Sequence, residues 1–433
     1  MGEKIVALAT GTQKSAVAIL RMSGAGTKDA LKEVFAPFPD KANYLQYGKI
    51  ILEDLTDGAM LVFFDAPKSY TGEEMAELHL HGSMPLVKKV LDRLFRAGFR
   101  MAQNGEFTKR AFVNGKTNLS KAEGLADLIN AESFAGLRAS VILADGKLGK
   151  RTEQLQSQLT DALARLEATL DYPEEDLEET EFPVILQILQ GTYGAVCDLL
   201  KTASAGATAK NGVNIAIVGD TNVGKSSLLN AIVGYDRAIV SAVRGTTRDT
   251  VEESIDYKGI KLNFVDTAGQ RETTDEVEQI GVQRAKKAMQ TCDLLLVVTE
   301  DGKVAKEYLQ APAPTIVVKS KADLSQDKGD ADFAISARTG QNVDLLLQRI
   351  FDTVGGKEII SAPILLTSQR QEQCLKESEY HLRQAIELIE NTATADLVAT
   401  EIKQAWLALG RVTGNTDMQT VVDAIFEKFC LGK

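Results

Sequence analysis

From residue 1 to about 115, apolar residues recur at every second position in four short runs, 4–9, 16–21, 59–64 and 76–81. That is the period of strands with one buried face. One helical period, 85–97, falls among them, so the region reads as an α+β domain. From 119 to about 205 the spacing changes to threes and fours: Leu125, Leu128 and Ile129, then Leu155, Leu159, Leu163 and Leu166. Glycine and proline are sparse there, and amphipathic helices are predicted. The acidic segment 171–181, containing Tyr172-Pro173, predicts a loop between them. From 213 to about 353 strand and helix patterns alternate. The β-branched runs 213–218, 260–265, 293–299 and 315–318 are consistent with strands of a parallel sheet covered on both sides. After 356 helical spacing returns, over 370–390, 396–410 and 416–429. Trp406, spaced with Leu409, reads as core. No internal repeat is evident.

Composition narrows the class. At 433 residues the chain is too long for one ordinary domain. With 44% apolar and 25% charged residues it has material for real cores. No run of 18 uncharged apolar residues is seen, so no membrane span is expected, and the N-terminal residues lack the basic-then-apolar order of an export signal. The four cysteines, Cys197, Cys292, Cys374 and Cys430, are far apart, which argues for a reducing, cytoplasmic setting and against a disulfide framework or a cysteine zinc site. The net charge of −11 is opposite to that of a protein coated with RNA-binding cations. Any nucleic-acid contact is therefore expected to be confined to one patch or shared with a partner. There are three histidines. His79 and His81 share one strand face with no third ligand nearby, so they read as hydrogen-bonding core or pocket residues rather than a metal site.

Chemistry enters at Gly219-Asp220-Thr221-Asn222-Val223-Gly224-Lys225-Ser226, which fits GxxxxGK[ST] after an apolar strand and before the helix that Ser227 continues. Backbone N–H groups of such a loop cradle phosphates, Lys225 reaches the β and γ phosphates, and Ser226 ligates Mg²⁺. Asp266-Thr267-Ala268-Gly269 follows the 260–265 strand, where a carboxylate holds the metal's water shell. Gly245-Thr246-Thr247-Arg248-Asp249 lies between these motifs, where a γ-phosphate-sensing threonine belongs. Ser320-Lys321-Ala322-Asp323 follows the 315–318 strand, and Asp323 can accept from guanine N1 and its exocyclic amine, donors that adenine lacks. Ser336-Ala337-Arg338 stands where a second guanine-contacting element occurs. Five elements in order, each at a strand end, define a GTPase domain. Ser320 occupies a place where Asn or Thr is usual. Gln270 is one residue out of register for a water-orienting glutamine and is not assigned a role.

The whole chain resembles the MnmE/TrmE family of tRNA-modification GTPases. The resemblance rests on the domain order and on SYTGEEMAELHLHG (69–82), GEFTKRAFVNGK (105–116), AEGLADLI (122–129), DYPEED (171–176), RGTTRD (244–249) and FCLGK (429–433). It implies an N-terminal tetrahydrofolate-binding and dimerisation domain over 1–117 and a helical domain in two parts, 118–210 and 357–433. A Ras-like P-loop α/β domain is inserted over 211–356. It further implies a cytoplasmic homodimer that works with a flavoprotein partner, MnmG (GidA). Together they add an aminomethyl or carboxymethylaminomethyl group to C5 of the wobble uridine, U34, of certain tRNAs. The one-carbon unit comes from a tetrahydrofolate, the 5,10-methylene or 5-formyl derivative, and GTP hydrolysis is K⁺-activated.

Carried over residue by residue, Asn222 matches the K⁺-ligating asparagine. Ser241-Ala242-Val243-Arg244-Gly245-Thr246 matches the K⁺ loop, with Ser241, Val243 and Thr246 offering ligands. Thr247 joins Ser226 at Mg²⁺. Glu278 alone reads as a solvated acid at a helix start, and only the family register makes it the residue orienting the attacking water. Arg21, Glu77 and Lys116, with Lys433 nearby, match folate-contacting positions: a carboxylate for the pterin's donor edge and cations for the glutamate tail. Cys430 reads as a nucleophile or as a half-buried small apolar residue. Its neighbour Lys433 favours the thiolate, and the resemblance places it in an active centre. The sequence departs from the family at GTQKSAVAIL (11–20), at Asn104 and at Ser83. Two rivals are an Era-type RNA-binding switch, which would need a KH-like RNA module, and a folate-binding module with an inert nucleotide domain. The helical region after the GTPase motifs and the acidic charge disfavour the first; the intact phosphate, metal and base elements disfavour the second.

Overall fold

The computed structural model describes residues 3–171, 178–220, 222–236, 253–266, 288–305, 308, 310–325, 327–391, 394–414 and 432. The chain opens with β1 (Lys4–Leu8), β2 (Val17–Ser23), α1 (Thr27–Lys32), β3 (Phe35–Ala36), β4 (Gln46–Ile51), β5 (Thr56–Phe64) and β6 (Met75–His81). Then come α2 (Met84–Arg96), β7 (Phe99–Met101) and the helices α3 (Glu106–Val113), α4 (Leu119–Ile129), α5 (Phe134–Ala144), α6 (Lys147–Asp171), α7 (Glu178–Lys201) and α8 (Ala203–Asn211). The nucleotide-motif region contributes β8 (Val213–Val218), α9 (Lys225–Asp236), β9 (Glu253–Tyr257), β10 (Ile260–Asp266), β11 (Leu294–Thr299), β12 (Thr315–Lys319), β13 (Phe333–Ala334) and α10 (Val343–Thr353). The described elements end with α11 (Gly356–Ser361), α12 (Gln369–Glu390) and α13 (Ala395–Thr413).

Two compact units are formed. One gathers Met1–Ala126, Ala144–Asp161 and Lys403–Lys433. Its seven-stranded sheet runs β3-β4-β5-β6-β2-β1-β7, antiparallel except for the β1–β7 pair. One face packs Leu20, Leu78 and Val6 under Leu86, Val87, Val90 and Leu94, the apolar stripe of α2. On the other face β6 presents Met75, Glu77, His79 and His81, because side chains alternate along a strand, and Arg21 of β2 stands directly opposite Glu77.

The other unit gathers Asp127–Leu143 and Ala162–Ile402. Its six-stranded sheet has the order β13-β12-β11-β8-β10-β9, parallel but for the β9–β10 hairpin, which turns at Lys258-Gly259. As the unbroken apolar runs predict, β8 and β11 are buried on both sides. Ile215, Ile217, Leu294 and Leu296 face one core, and Ala216, Val218, Leu295 and Val297 face the other. Helix α7 packs along α12, where the Tyr193 hydroxyl donates to Glu379 Oε1 at 3.0 Å.

Three expectations need correction. Of the acidic segment read as loop, Asp171 closes α6 and Glu178 opens α7, so the interruption is shorter than 171–181. His81 is exposed, its Nδ1 2.8 Å from Asp57 Oδ2, and is neither core nor pocket. Thr180–Asn211 is a helix of spanning length with a mean hydropathy of 1.2, which does not overturn the expectation that no segment spans a membrane. Its apolar side is a stripe: Ile185, Leu189, Val196 and Leu199 are buried, while Gln187, Gln190 and Asp198 are exposed. Trp406, read as core, is half-buried, with its indole N–H donated to Thr160 Oγ1 at 3.2 Å.

Candidate functional site

The phosphate-type loop leaves β8 in the middle of its sheet. Strand β8 is flanked by β11 and β10, so the loop opens at the carboxyl end of the strand where the connections diverge, the usual ligand crevice of an open α/β sheet. Gly219 has φ +145°, and a Cβ there would lie 2.1 Å from the Val298 carbonyl oxygen, so no side chain fits without moving β11. Asn222 takes φ 64°, a left-handed conformation that asparagine tolerates better than most residues. Val223 is buried beneath the loop, and Lys225 begins α9. The Lys225 ammonium is buried and donates to the Gly219 and Asp220 carbonyls at 2.7 and 2.6 Å. The loop's own carbonyls thus hold the cation in the concavity where phosphate oxygens would sit. Ser226 and Ser227 are exposed in the first turn of α9, at the positive end of its dipole. Asp266 ends β10 in register with Ile217, two residues before Gly219.

The base-reading elements converge on the same end of the sheet. The Ser320 amide donates to Thr299 O at 2.8 Å, extending the β11–β12 pairing by one bond. The Ser320 side chain lies against the phosphate loop, its Cβ and Oγ 3.8 and 3.9 Å from where a Cβ on Gly224 would stand. Lys321 has φ 59° and pairs with Glu300 at 2.7 Å. Asp323 is exposed, and one carboxylate oxygen accepts from the Ser336 hydroxyl at 2.8 Å. That bond ties the 320–323 and 336–338 motifs to each other and restrains the carboxylate's orientation. Ala337 is half-buried and Arg338 exposed just beyond it. Ser241, Ala242, Val243, Arg244, Gly245, Thr246, Thr247, Thr267, Ala268, Gly269 and Glu278 lie outside the described residues, as do Cys430 and Lys433.

A second feature sits on the N-terminal sheet. The Arg21 guanidinium grips Glu77 Oε1 through Nε and Nη2 at 2.9 and 2.8 Å, and its Nη1 donates to the Gly432 carbonyl at 3.2 Å. Arg21 and Glu77 share a cavity of about 230 Å³ with Phe64, Tyr70, Met75 and Leu125. The structure therefore brings Arg21, Glu77 and the penultimate residue together. Lys116 is not in that lining; it is exposed, with its ammonium on the Pro67 carbonyl at 2.9 Å. Sequence reasoning did not assign Tyr70 or Leu125 to this site, although both lie in quoted motifs. The Tyr70 hydroxyl bonds Thr108 Oγ1 at 2.9 Å, and burial pushes its pKa up.

Beside this cavity an ionic network holds α3 in place. Glu106 accepts from both Arg100 terminal nitrogens at 2.8 and 2.7 Å, from the Gln103 amide at 2.8 Å and from Arg110 at 2.9 Å. Arg110 in turn reaches Glu73 at 2.9 Å. Burial alone would raise the Glu106 carboxyl, but these donors outweigh it and hold it at about 2. The Gln103 amide bond to Glu106 spans three residues, whereas the Arg110–Glu73 contact joins residues 37 apart. His79 Nε2 is buried and 3.7 Å from Glu77 Oε2, and among the described residues no group of three or more potential metal ligands occurs.

Fold and loop together define a P-loop nucleotide-binding protein whose α/β domain interrupts a run of helices, behind an N-terminal α+β sheet domain. Family models match both flanks of this architecture: the GTP-binding protein TrmE N-terminus over residues 4–116 and the MnmE helical domain over 119–430. The tRNA modification GTPase MnmE of Akkermansia muciniphila is 38% identical over 99% of this chain and 98% of its own length. Those of Heliobacterium modesticaldum and Aquifex aeolicus are 37% and 36% identical, each over 100% of both chains. The chain belongs to the MnmE (TrmE) family. Among solved structures, Era with MgGDPNP and 16S ribosomal RNA nucleotides 1506–1542 covers 39% of this chain at 24% identity, with a TM-score of 0.27, a likeness too slight to carry weight.

Proposed function

We propose that this protein hydrolyses GTP at the β8–α9 loop and that this hydrolysis serves tRNA modification at the wobble uridine, U34. The carrying observation is the buried Lys225 ammonium, seated on loop carbonyls at the same end of the sheet as an Asp323 carboxylate pre-oriented by Ser336. A group that meets phosphate and a group that discriminates guanine thus face one crevice. Lys225 and the amides at the start of α9 would bind the β and γ phosphates, and Asp323 would accept from guanine N1 and its amine. Ser226 and Thr247 would hold Mg²⁺, with Asp266 behind its water shell. The exposed Asn222 side chain, on its left-handed backbone, fits a K⁺ ligand, joined by Ser241, Val243 and Thr246. A monovalent cation there supplies charge neutralisation between the β and γ phosphates. Glu278 would orient the attacking water.

The Arg21–Glu77 cavity fits the head group of a tetrahydrofolate. At about 230 Å³ it lies somewhat below the roughly 300–1,000 Å³ of ordinary small-molecule sites, a size that suits part of such a ligand. The carboxylate suits the donor edge of a pterin, and Lys116 and Lys433 suit the tail's carboxylates. The Gly432 carbonyl on Arg21 supports assigning Cys430, two residues earlier in the chain, to the same site. In this reading a cytoplasmic homodimer works with the flavoprotein MnmG (GidA) to install the aminomethyl or carboxymethylaminomethyl group. Reconstitution with that flavoprotein, labelled 5,10-methylenetetrahydrofolate and undermodified tRNA tests it. Label is expected at U34, and Cys430→Ser should abolish transfer while leaving GTP turnover unchanged. Transfer that persists in the variant would remove Cys430 from the active centre.

A further inference from the structure

We infer that the turn joining α5 to α6, with the adjoining start of α4, is a docking surface for RNA phosphates. The inference rests on the tRNA reading above. Lys147, Lys150 and Arg151 stand at helical spacings of three and four in the first turns of α6, and therefore share one face. Lys121 of α4 joins them: its Cε lies 2.3 Å, and its ammonium 3.2 Å, from where a Cβ on Gly146 would be. Gly146, at φ +79°, caps the helix, with its carbonyl accepting from the Lys150 amide at 3.0 Å. The two helix starts touch, since a Cβ on Gly149 would stand 3.1 Å from Asn118 Nδ2. Lys147 and Lys150 are exposed, and Lys121 and Arg151 half-exposed.

The sign and place of these charges are against stability. Several surface cations near this sheet are matched: Lys28 with Asp65, Lys89 with Asp54, Arg96 with Glu53, Arg100 with Glu3 and Glu106. None of these four forms a salt bridge among the described residues, and Arg151 meets only Gln154 Oε1, at 3.4 Å. Three of them crowd the positive end of a 25-residue helix whose first turn holds no acid. Cations there oppose the helix dipole, where an acid would be favoured. A local rule broken without a compensating contact marks a functional surface. In a chain of net charge −11, such a patch attracts a dense polyanion rather than proteins at large. RNA is favoured over an anionic membrane because phosphates along a backbone suit charges spaced one helical turn apart.

The test compares the wild-type chain with the Lys147→Glu/Lys150→Glu/Arg151→Glu variant. Binding of a tRNA transcript is followed by fluorescence anisotropy from low to moderate salt. Binding to vesicles of phosphatidylcholine and phosphatidylglycerol runs in parallel. GTP turnover and melting temperature serve as controls; the first should not change, and the second should hold or rise because acids suit this helix end. We expect tRNA affinity to fall at least about tenfold and the log–log salt slope to become shallower by about two, as two or three phosphate contacts are lost. Equal tRNA binding and slope in both proteins would overturn the docking surface and leave the tRNA reading standing. Absence of tRNA binding by either protein would count against both. Loss of vesicle binding with tRNA binding intact would assign the patch to lipid and overturn the inference.

Discussion

In the proposed reading, Asp323 discriminates guanine and Ser336 holds it in place. The Ser336 hydroxyl occupies one carboxylate oxygen at 2.8 Å and leaves the other to accept from a ligand. Ser336→Ala should leave phosphate contacts intact while loosening guanine nucleotides about tenfold or more, the worth of one hydrogen bond to a charged partner. Titration of a fluorescent GDP checks it, and an unchanged affinity would mean that Asp323 is oriented by something else. Glu106 makes a prediction in pH. Its carboxyl is held at about 2 against an ordinary 4.5, so the charged form contributes stability that is complete above about 4.5 and is lost as pH falls toward 2. Allowing for the partly exposed Arg100, the contribution is on the order of 2 kcal/mol. Glu106→Gln should remove that acid dependence from the unfolding of the N-terminal sheet domain, and urea midpoints at pH 7 and pH 3.5 measure it.

At the scale of elements, what the sequence made legible followed burial. The 213–218 run became β8 without a change of boundary, and 293–299 became β11 less its first residue, because a strand covered on both faces leaves no polar position to blur its ends. The 85–97 period became α2, shifted by one residue, since Leu86, Val87, Val90 and Leu94 form a full stripe. Strands β3 and β7 are two and three residues long, too short to show a period. Strands β4 and β9 lie at or near sheet edges, where exposed Tyr47 and Ile51, or Glu253 and Ser254, dilute the alternation. The phosphate loop and the base motifs were legible because each is a local string whose geometry is set by backbone and glycine. The Arg21–Glu77–Gly432 arrangement is not local: it joins residues 56 and 411 positions apart. Only the family resemblance pointed to Arg21 and Glu77, and nothing in their spacing did. The Glu73–Arg110 bridge had no such pointer and was missed.

Across the whole molecule two chemistries occupy different units: the nucleotide crevice lies in one, the Arg21–Glu77 cavity in the other. If hydrolysis serves the modification, the crevice must hydrolyse GTP in its own right and under cation control. Steady-state phosphate release from GTP and from ATP, in KCl and in NaCl, for wild type and for Lys225→Ala, tests this most directly. Turnover of GTP over ATP, several-fold or more faster in KCl than in NaCl and absent in the variant, is the predicted result. Equal turnover in the two salts, or turnover that survives loss of the Lys225 ammonium, would contradict the account.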